Sequence, residues 1–160
     1  MNIKSDREEF ERIKLCDILP LDTPLVIFIE PSRSCNFKCN YCYHSFSTEK
    51  AKELNVINKG IMDFDLYTKI IDDISQFPNK IKCIHLTSMG EPLLNNKLPE
   101  MIAYAKSKNV TERINIVTNG SLLNPELNIK LIESGLDSIK ISIQGLDVEI
   151  LGQLQHVGVI

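Results

Sequence analysis

The sequence predicts an α/β fold in which four β-strands alternate with α-helices. Two observations support this prediction. Short apolar runs, each long enough for a buried strand, alternate along the chain with segments of helical periodicity. Capping residues and helix breakers bound those helical segments. Strands and helices that alternate in this way form a parallel sheet with right-handed crossovers.

The predicted strands cover residues 25–29, 81–87, 113–118 and 138–143. The first strand is apolar on both faces, which is typical of a parallel strand that helices cover. It leads directly into a loop that carries three cysteines. Parallel strands present their carboxyl ends at one edge of the sheet, where α/β folds place their chemistry. We therefore expect this edge to hold the functional site.

The first predicted helix follows a polar excursion. Residues 45–60 are rich in lysine and are interpreted as a departure from the sheet that closes at Gly60. Asp63 is then expected to cap a helix over residues 64–77, which would end before Pro78. The apolar face of this helix would be formed by Leu66, Ile70, Ile71 and Ile74.

Two further helices lie between the later strands. One is predicted over residues 98–108. The other begins after the cap Asn124, with Pro125 in its first turn, and ends at Gly135. A weaker helical pattern follows Gly145.

Composition limits the classes of function. The chain of 160 residues is 43% apolar and 24% charged, which is typical of one soluble globular domain. Its net charge of −3 argues against nucleic acid as an obvious partner, because phosphate binding favours a basic surface. No apolar run approaches the ~18 residues of a membrane span, and the N-terminus lacks a signal-peptide core. Cytoplasm is the expected compartment.

The predicted domain organisation has two parts. Residues 1–23 are interpreted as an N-terminal helical extension, with a short helix over residues 7–15 that Asp6 caps. Residues 24–160 form the core domain. We expect this domain to be incomplete at its C-terminus, because the chain stops on the apolar run at 157–160.

The most informative stretch is a cysteine cluster. Cys35, Cys39 and Cys42 follow the first strand in a C-x3-C-x2-C spacing. Three thiolates on so short a loop cannot all pair with one another as disulfides, but they can converge on the irons of a single cubane cluster. One iron would then lack a protein ligand, which provides the open position that metal chemistry on a substrate requires. The odd total of five cysteines suits a reducing compartment.

Two other interpretations of the cluster remain open. It could be a zinc site with His44 as the fourth ligand, or Cys39 and Cys42 could form a redox pair. A redox pair leaves Cys35 without a role. A zinc site favours a second compact ligand pair downstream, where the chain offers only the isolated residues Cys83, His85 and His156.

The remaining thiols and histidines have simpler interpretations. Cys16 is expected to be a lone packing or surface thiol, and Cys83 a small buried hydrophobe. His85 is expected to pack within the second strand. His44, next to the cysteine loop, could line an active site.

The run at residues 31–44, PSRSCNFKCNYCYH, resembles the cluster motif of the radical S-adenosylmethionine (SAM) enzymes, in which an aromatic residue precedes the last cysteine. That aromatic residue is Tyr41 here. Further matches follow in the expected order at Gly90-Glu91-Pro92, Thr118 and Ser142.

The first of these matches follows the second predicted strand. A glycine and a proline that flank an acid make a tight turn, whose carbonyl groups could face a cation. The turn resembles the GEP turn of the family, which hydrogen-bonds the amino group of SAM. The usual preceding glycine is replaced by Met89.

The other two matches follow the third strand and end the fourth. The resemblance places Thr118 on the cavity wall near SAM or substrate, although Asn119-Gly120 after it is also an ordinary turn signal. The resemblance also implies that Ser142 contacts the carboxylate of SAM. The family pattern there is Ser-x-Asp, and Gln144 replaces the acid, which indicates a different substrate or subfamily.

The resemblance implies a mechanism. The three cysteines would hold a [4Fe–4S] cluster whose open iron chelates SAM, with Tyr41 helping to hold the adenine. An electron from a flavodoxin- or ferredoxin-like donor would cleave SAM to a 5′-deoxyadenosyl radical, which abstracts hydrogen from an unidentified small molecule or peptide. The cofactors carry this chemistry, and no side chain need act as a general acid or base.

The resemblance also implies the architecture. The family core is a TIM-like partial (β/α)6 barrel, of which the sequence supplies about four βα units. We therefore expect strands five and six and any domain with auxiliary clusters to be missing from this chain, and one hypothesis is that the isolated chain binds a cluster yet is inactive. The alternative is a non-catalytic iron–sulfur or zinc-binding module.

Overall fold

The structure is a computed structural model that describes residues 14–56, 59–143, 145 and the strand at 155–157. Its strands are β1 (Val26–Ile29), β2 (Phe37–Cys39), β3 (Ile81–Leu86), β4 (Thr111–Thr118), β5 (Ser138–Ile141) and β6 (Gln155–Val157). Its α-helices are α1 (Thr48–Glu53), α2 (Phe64–Ile74), α3 (Leu98–Lys108) and α4 (Pro125–Glu133). Short 3-10 turns lie at Leu15–Asp17, Tyr43–Ser45 and Pro92–Leu94.

The main sheet is parallel, as predicted. Strands β1, β3, β4 and β5 lie side by side in that order, and each pairs with its neighbour in parallel. The predicted α/β class and all four predicted strands are confirmed. A second, antiparallel pair of strands is formed by β2 and β6.

The hydrophobic core lies on one face of the main sheet, between the strands and the helices. Ile84, Leu86, Ile114 and Ile116 supply its sheet side, and Tyr67, Ile71, Met101 and Ile102 supply its helical side. On the opposite face, Phe28, His85, Asn115 and Ser138 lie in one row across the four strands. The rings of Phe28 and His85 stack with their centroids 4.8 Å apart, so His85 packs within its strand as predicted.

Among the described residues, the helices cover one face of the first strand and leave the other face open. In β1 only Ile29 is buried, whereas the side chain of Phe28 is 66% exposed. Side chains alternate between the two faces of a strand, so every second residue of β1 points away from the helices. These outward-facing residues of β1 are apolar although the described residues do not bury them.

Helix α2 begins where the sequence predicts. The Asp63 carboxylate accepts a hydrogen bond from the Asp65 N–H at 2.8 Å, which caps the helix. Its predicted apolar face was wrong at one position, because Leu66 is exposed and Tyr67 is fully buried. Residues 67, 71 and 74 form the buried stripe at spacings of four and three, which places residue 66 outside it.

The two later helices confirm their predictions. Helix α3 has the predicted bounds. Asn124 caps α4 by accepting a hydrogen bond from the Leu127 N–H at 2.9 Å. Gly135 follows that helix with φ +87°, a left-handed conformation that glycine adopts without a steric penalty.

Three of the described elements were missed. Helix α1 lies in the polar excursion, where five polar or charged residues and Ala51 show no apolar period. Strands β2 and β6 pair with each other across a long stretch of the chain. The predicted helices over residues 7–15 and after Gly145, like Gln144, lie largely or wholly outside the described residues. No helix in the described part of the chain has the length and apolar character needed to cross a bilayer.

Candidate functional site

The three cysteines of the motif lie on and beside the small strand β2. Cys39 ends that strand, and the Cys42 N–H donates to the Cys39 carbonyl at 2.9 Å, which turns the chain back toward it. Cys35 lies before the strand, and its sulfur accepts a contact from the Phe37 N–H at 3.4 Å. All three thiols are free and partly buried, and the buried ring of Phe37 anchors the loop.

The three thiols lie close enough to influence one another. Burial is the main cause that raises the pKa of Cys35, and negative charge on Glu91, Cys39 and Cys42 raises it further, whereas the Phe37 N–H lowers it. Clustered thiolates are soft ligands that suit iron–sulfur clusters. In the described ranges, no three His, Cys, Asp or Glu side chains are grouped to hold a single ion. A cubane cluster does not require its ligands to converge on one ion, because each thiolate binds a different iron. The three thiols therefore fit a cluster.

The turn after β3 packs directly against the cysteine loop. A Cβ atom at Gly90 would lie 2.2 Å from the Ser32 carbonyl oxygen and 2.7 Å from that of Ser34. The next residue, Glu91, donates its N–H to the same Ser34 oxygen at 2.8 Å. Only glycine permits this approach, and the loop and the turn are therefore held in one fixed relation.

The Glu91 side chain is buried, and both of its carboxylate oxygens accept hydrogen bonds from the protein. Its Oε1 accepts hydrogen bonds from the Leu93 N–H at 3.0 Å and from the Thr118 hydroxyl at 2.6 Å. Its Oε2 accepts from the Asn119 N–H at 2.7 Å. These donors stabilise a carboxylate that is only 2% exposed. The acid therefore joins the GEP turn to the end of β4.

Met89 is held through its main chain. Its carbonyl accepts from the Tyr43 hydroxyl at 3.2 Å and faces the Nε2 of His44 at 3.0 Å, while its N–H donates to Oε1 of Glu30 at 2.8 Å. Burial lowers the pKa of His44, which favours the neutral ring that donates to this carbonyl. His44 thus contacts the turn through its Nε2.

The structure brings some of the predicted site residues together and leaves Tyr41 exposed. The cysteine loop, Gly90, Glu91 and Thr118 meet at the carboxyl edge of the sheet, where Pro92 begins a short 3-10 turn. Thr118 is 2% exposed, and its hydroxyl points to Glu91. The Ser142 N–H donates to the Thr118 carbonyl at 2.8 Å. Tyr41 is 57% exposed on the loop.

Sequence reasoning missed two asparagines at this edge. The Nδ2 of Asn119 donates to Oδ1 of Asn36 at 2.9 Å and lies 4.0 Å from the Cys35 sulfur. Asn119 belongs to an Asn-Gly pair, which the sequence identifies only as a turn. Asn36 lies between the predicted ligands Cys35 and Cys39. That position was the one sequence signal that it belongs to the site.

Comparison with known proteins identifies the family. The family model of the Radical SAM superfamily matches residues 29–157. This chain belongs to the radical SAM superfamily. The predicted fold, a partial (β/α) barrel, is also confirmed. The chain resembles BtrN in complex with AdoMet and 2-DOIA, with a TM-score of 0.62 and 26% identity, over 81% of this chain and 50% of that one.

Curated relatives of this radical SAM chain include a probable GTP 3′,8-cyclase of Methanococcus maripaludis, 37% identical over 71% of this chain and 34% of the relative. Another is the tungsten-containing aldehyde ferredoxin oxidoreductase cofactor-modifying protein of Pyrococcus furiosus, 30% identical over 75% and 31%. The chain therefore spans about a third of the length of these relatives.

Proposed function

We propose that this radical SAM chain holds a [4Fe–4S] cluster on Cys35, Cys39 and Cys42 and binds SAM beside it. The observation that carries the proposal is the docking of the GEP turn on the cysteine loop through Gly90 and Glu91. Three partly buried thiols then lie at the same edge as a rigid turn that follows the neighbouring strand.

The residues of the chain would bind and orient the cofactors. The three thiolates would hold the cluster. Main-chain groups of Gly90, Glu91 and Pro92 bind the amino group of SAM, while the Glu91 carboxylate, occupied by its own hydrogen bonds, keeps the turn in place. The exposed ring of Tyr41 is available to the adenine, and Ser142 would contact the SAM carboxylate.

Thr118 would act through Glu91, because its hydroxyl is buried against that carboxylate. A bound cluster, reduced by a flavodoxin- or ferredoxin-like donor, would with SAM supply a 5′-deoxyadenosyl radical for removal of hydrogen from a substrate. We propose a small molecule or a peptide as that substrate. The thiol-rich loop suits a reducing compartment, so we propose the cytoplasm as the location.

The first experiment is anaerobic reconstitution with iron and sulfide, followed by electron paramagnetic resonance of the reduced protein with and without SAM. We expect a [4Fe–4S] signal that changes when SAM is added. A cluster that is indifferent to SAM would contradict the proposal and favour a non-catalytic iron–sulfur module. Zinc in place of iron would contradict it as well.

Cysteine variants make this experiment specific. Replacing Cys35, Cys39 or Cys42 with alanine should remove most of the bound iron and sulfide. Cys16→Ala is the matched control, because Cys16 is exposed and its thiol bonds the carboxylate of its neighbour Asp17, away from the cysteine loop. Its iron content should equal that of the parent chain.

A further inference from the structure

We propose that Asn119 is a positioning residue for Cys35: its side-chain amide donates toward the cysteine sulfur and thereby raises the reduction potential of the bound cluster. Asn36 and Ser121 orient that amide. The inference rests on the proposed function, since it concerns the cluster that Cys35 would hold. It assigns a role to a residue that the cluster motif and the GEP turn do not include.

The orientation of the Asn119 amide is fixed by its acceptor side. Its Oδ1 accepts from the Ser121 N–H at 2.9 Å and from the Ser121 hydroxyl at 2.7 Å. A main-chain N–H can only donate, so the oxygen must face Ser121 and the Nδ2 must face the other way. On that other side lie the Oδ1 of Asn36, at 2.9 Å, and the Cys35 sulfur, at 4.0 Å.

Asn36 closes a ring of three side chains. Its Nδ2 donates to the Ser121 hydroxyl oxygen at 2.8 Å, that hydroxyl donates to Asn119, and Asn119 donates to the Oδ1 of Asn36. The Nδ2 of Asn119 carries two hydrogens, and Asn36 takes one of them. The second is left for the sulfur, which is a weak acceptor as a thiol and a stronger one when it carries negative charge.

The main chain holds Asn119 from the other direction. Its N–H donates to Oε2 of the buried Glu91 at 2.7 Å. Asn119 therefore lies between the carboxylate that joins the GEP turn to β4 and a cysteine 84 positions earlier in the chain. Three elements that meet at this edge set its position, so the amide is preorganised rather than placed by chance contact.

A donor at this place has an electrostatic consequence. Hydrogen bonds to the sulfurs of an iron–sulfur cluster are among the factors that set its potential. They stabilise the reduced cluster more than the oxidised one, because the reduced state carries more negative charge. Loss of the Asn119 donor should therefore make the cluster harder to reduce.

The test is a redox titration of the reconstituted chain, followed by electron paramagnetic resonance, on the parent and three variants. Asn119→Ala should shift the midpoint potential to a more negative value. Asn119→Asp should shift it further, because the carboxylate still accepts from residue 121 but replaces the amide donor with a negative charge. Ser121→Ala is the graded comparison: the main-chain N–H of residue 121 still orients Asn119 when the hydroxyl is lost, so its potential should shift less than that of Asn119→Ala.

Thermal melts of each variant separate this role from a merely structural one, which would lower stability without moving the potential. Parental potentials in both folded Asn119 variants would overturn the inference. So would a shift in Ser121→Ala as large as that in Asn119→Ala. Loss of the cluster from both Asn119 variants, but not from Ser121→Ala, would also overturn it, because Asn119 would then hold the cysteine loop in place rather than set the potential. A parent chain that takes up no cluster would instead refute the proposed function, and this inference with it.

Discussion

The Thr118 hydroxyl donates to Oε1 of Glu91 across 2.6 Å and so joins the end of β4 to the turn after β3. Both side chains are 2% exposed. A buried carboxylate is costly unless donors surround it, and here the hydroxyl and two main-chain N–H groups do so. The geometry of the carboxyl edge therefore depends on this one acid and its donors.

Replacing Thr118 with valine should destabilise the chain. Valine keeps the shape of the side chain but removes the hydroxyl, which leaves Oε1 of Glu91 one donor short and the Gly120 N–H without its 3.0 Å acceptor. We expect the free energy of unfolding to fall by about 1–3 kcal/mol, the usual cost of an unsatisfied buried group. Urea denaturation followed by circular dichroism measures it.

Thr118→Ser is the control for that experiment. Serine keeps the hydroxyl and loses one buried methyl group, which costs about 0.8 kcal/mol. It should therefore be less destabilising than valine. If serine proved as harmful as valine, packing rather than the bond to Glu91 would be the important contribution of Thr118.

A methyl group at Gly90 should separate the turn from the cysteine loop. In Gly90→Ala the new Cβ would collide with the main-chain oxygens of Ser32 and Ser34, which cannot rotate away as a flexible side chain can. We expect a loss of about 1–3 kcal/mol in the free energy of unfolding, as for other overpacked sites. Iron uptake during reconstitution should fall with it.

Met89→Ala provides a matched change in the same turn. Met89 is 48% exposed, and its contacts with Glu30, Tyr43 and His44 are made by main-chain atoms that alanine retains. Stability and iron uptake should stay close to those of the parent. Equal damage from both variants would show that the turn tolerates no change at all, which would contradict the specific role given to Gly90.

Local signals in the sequence were sufficient for most of the fold. The caps Asp63 and Asn124 act within three residues of the helix starts, and the strands are contiguous apolar runs, so the relevant physics is contained in short windows. Helix α1 was not predicted because a short polar helix has no apolar stripe. Leu66 was misassigned because the choice between adjacent residues depends on the rotation of the helix against the sheet.

The site was predictable only where it forms a motif. The three cysteines and the GEP turn are short patterns with a chemical reason for their spacing. The connections between them are not, because Thr118 reaches Glu91 across 27 positions and Asn119 reaches Asn36 across 83. Such pairs depend on how the strand ends meet, and no local window contains that information.

The pH dependence of stability should include a contribution from His85. Burial is the main cause that lowers its pKa, and the positive charge of Lys140 lowers it further. The unfolded state then binds more protons than the folded state below about pH 6.5. The contribution of His85 is therefore complete above that pH and is lost as the pH falls below it.

His85→Phe tests this expectation, because phenylalanine keeps a flat ring for the stack on Phe28 but cannot titrate. The free energy of unfolding of both proteins would be measured by urea denaturation from pH 7.5 to about 5.5, a range set by the ordinary histidine pKa. The parent should lose more stability across this range than the variant. Parallel curves would show that His85 does not contribute.

Tyr67→Phe should leave the chain as stable as the parent or more so. The Tyr67 ring lies fully buried in α2, and its hydroxyl has no hydrogen-bond partner among the described residues. Burial raises the pKa of this hydroxyl, so it is neutral but still desolvated at every physiological pH. Removing it eliminates a desolvation penalty and costs no contact. The free energy of unfolding should rise by about 0–2 kcal/mol.

Tyr104→Phe is the same chemical change with the opposite expected sign. The Tyr104 hydroxyl donates to Oδ1 of Asp72 at 2.9 Å and so links α3 to α2. Phenylalanine would keep the ring, which packs edge-on against Phe64, and lose that link. The Tyr104 variant should therefore unfold at lower urea than the parent, while the Tyr67 variant should not. If Tyr67→Phe were the more destabilising of the two, its hydroxyl must bond a group outside the described residues, because a hydroxyl without a partner cannot stabilise the fold.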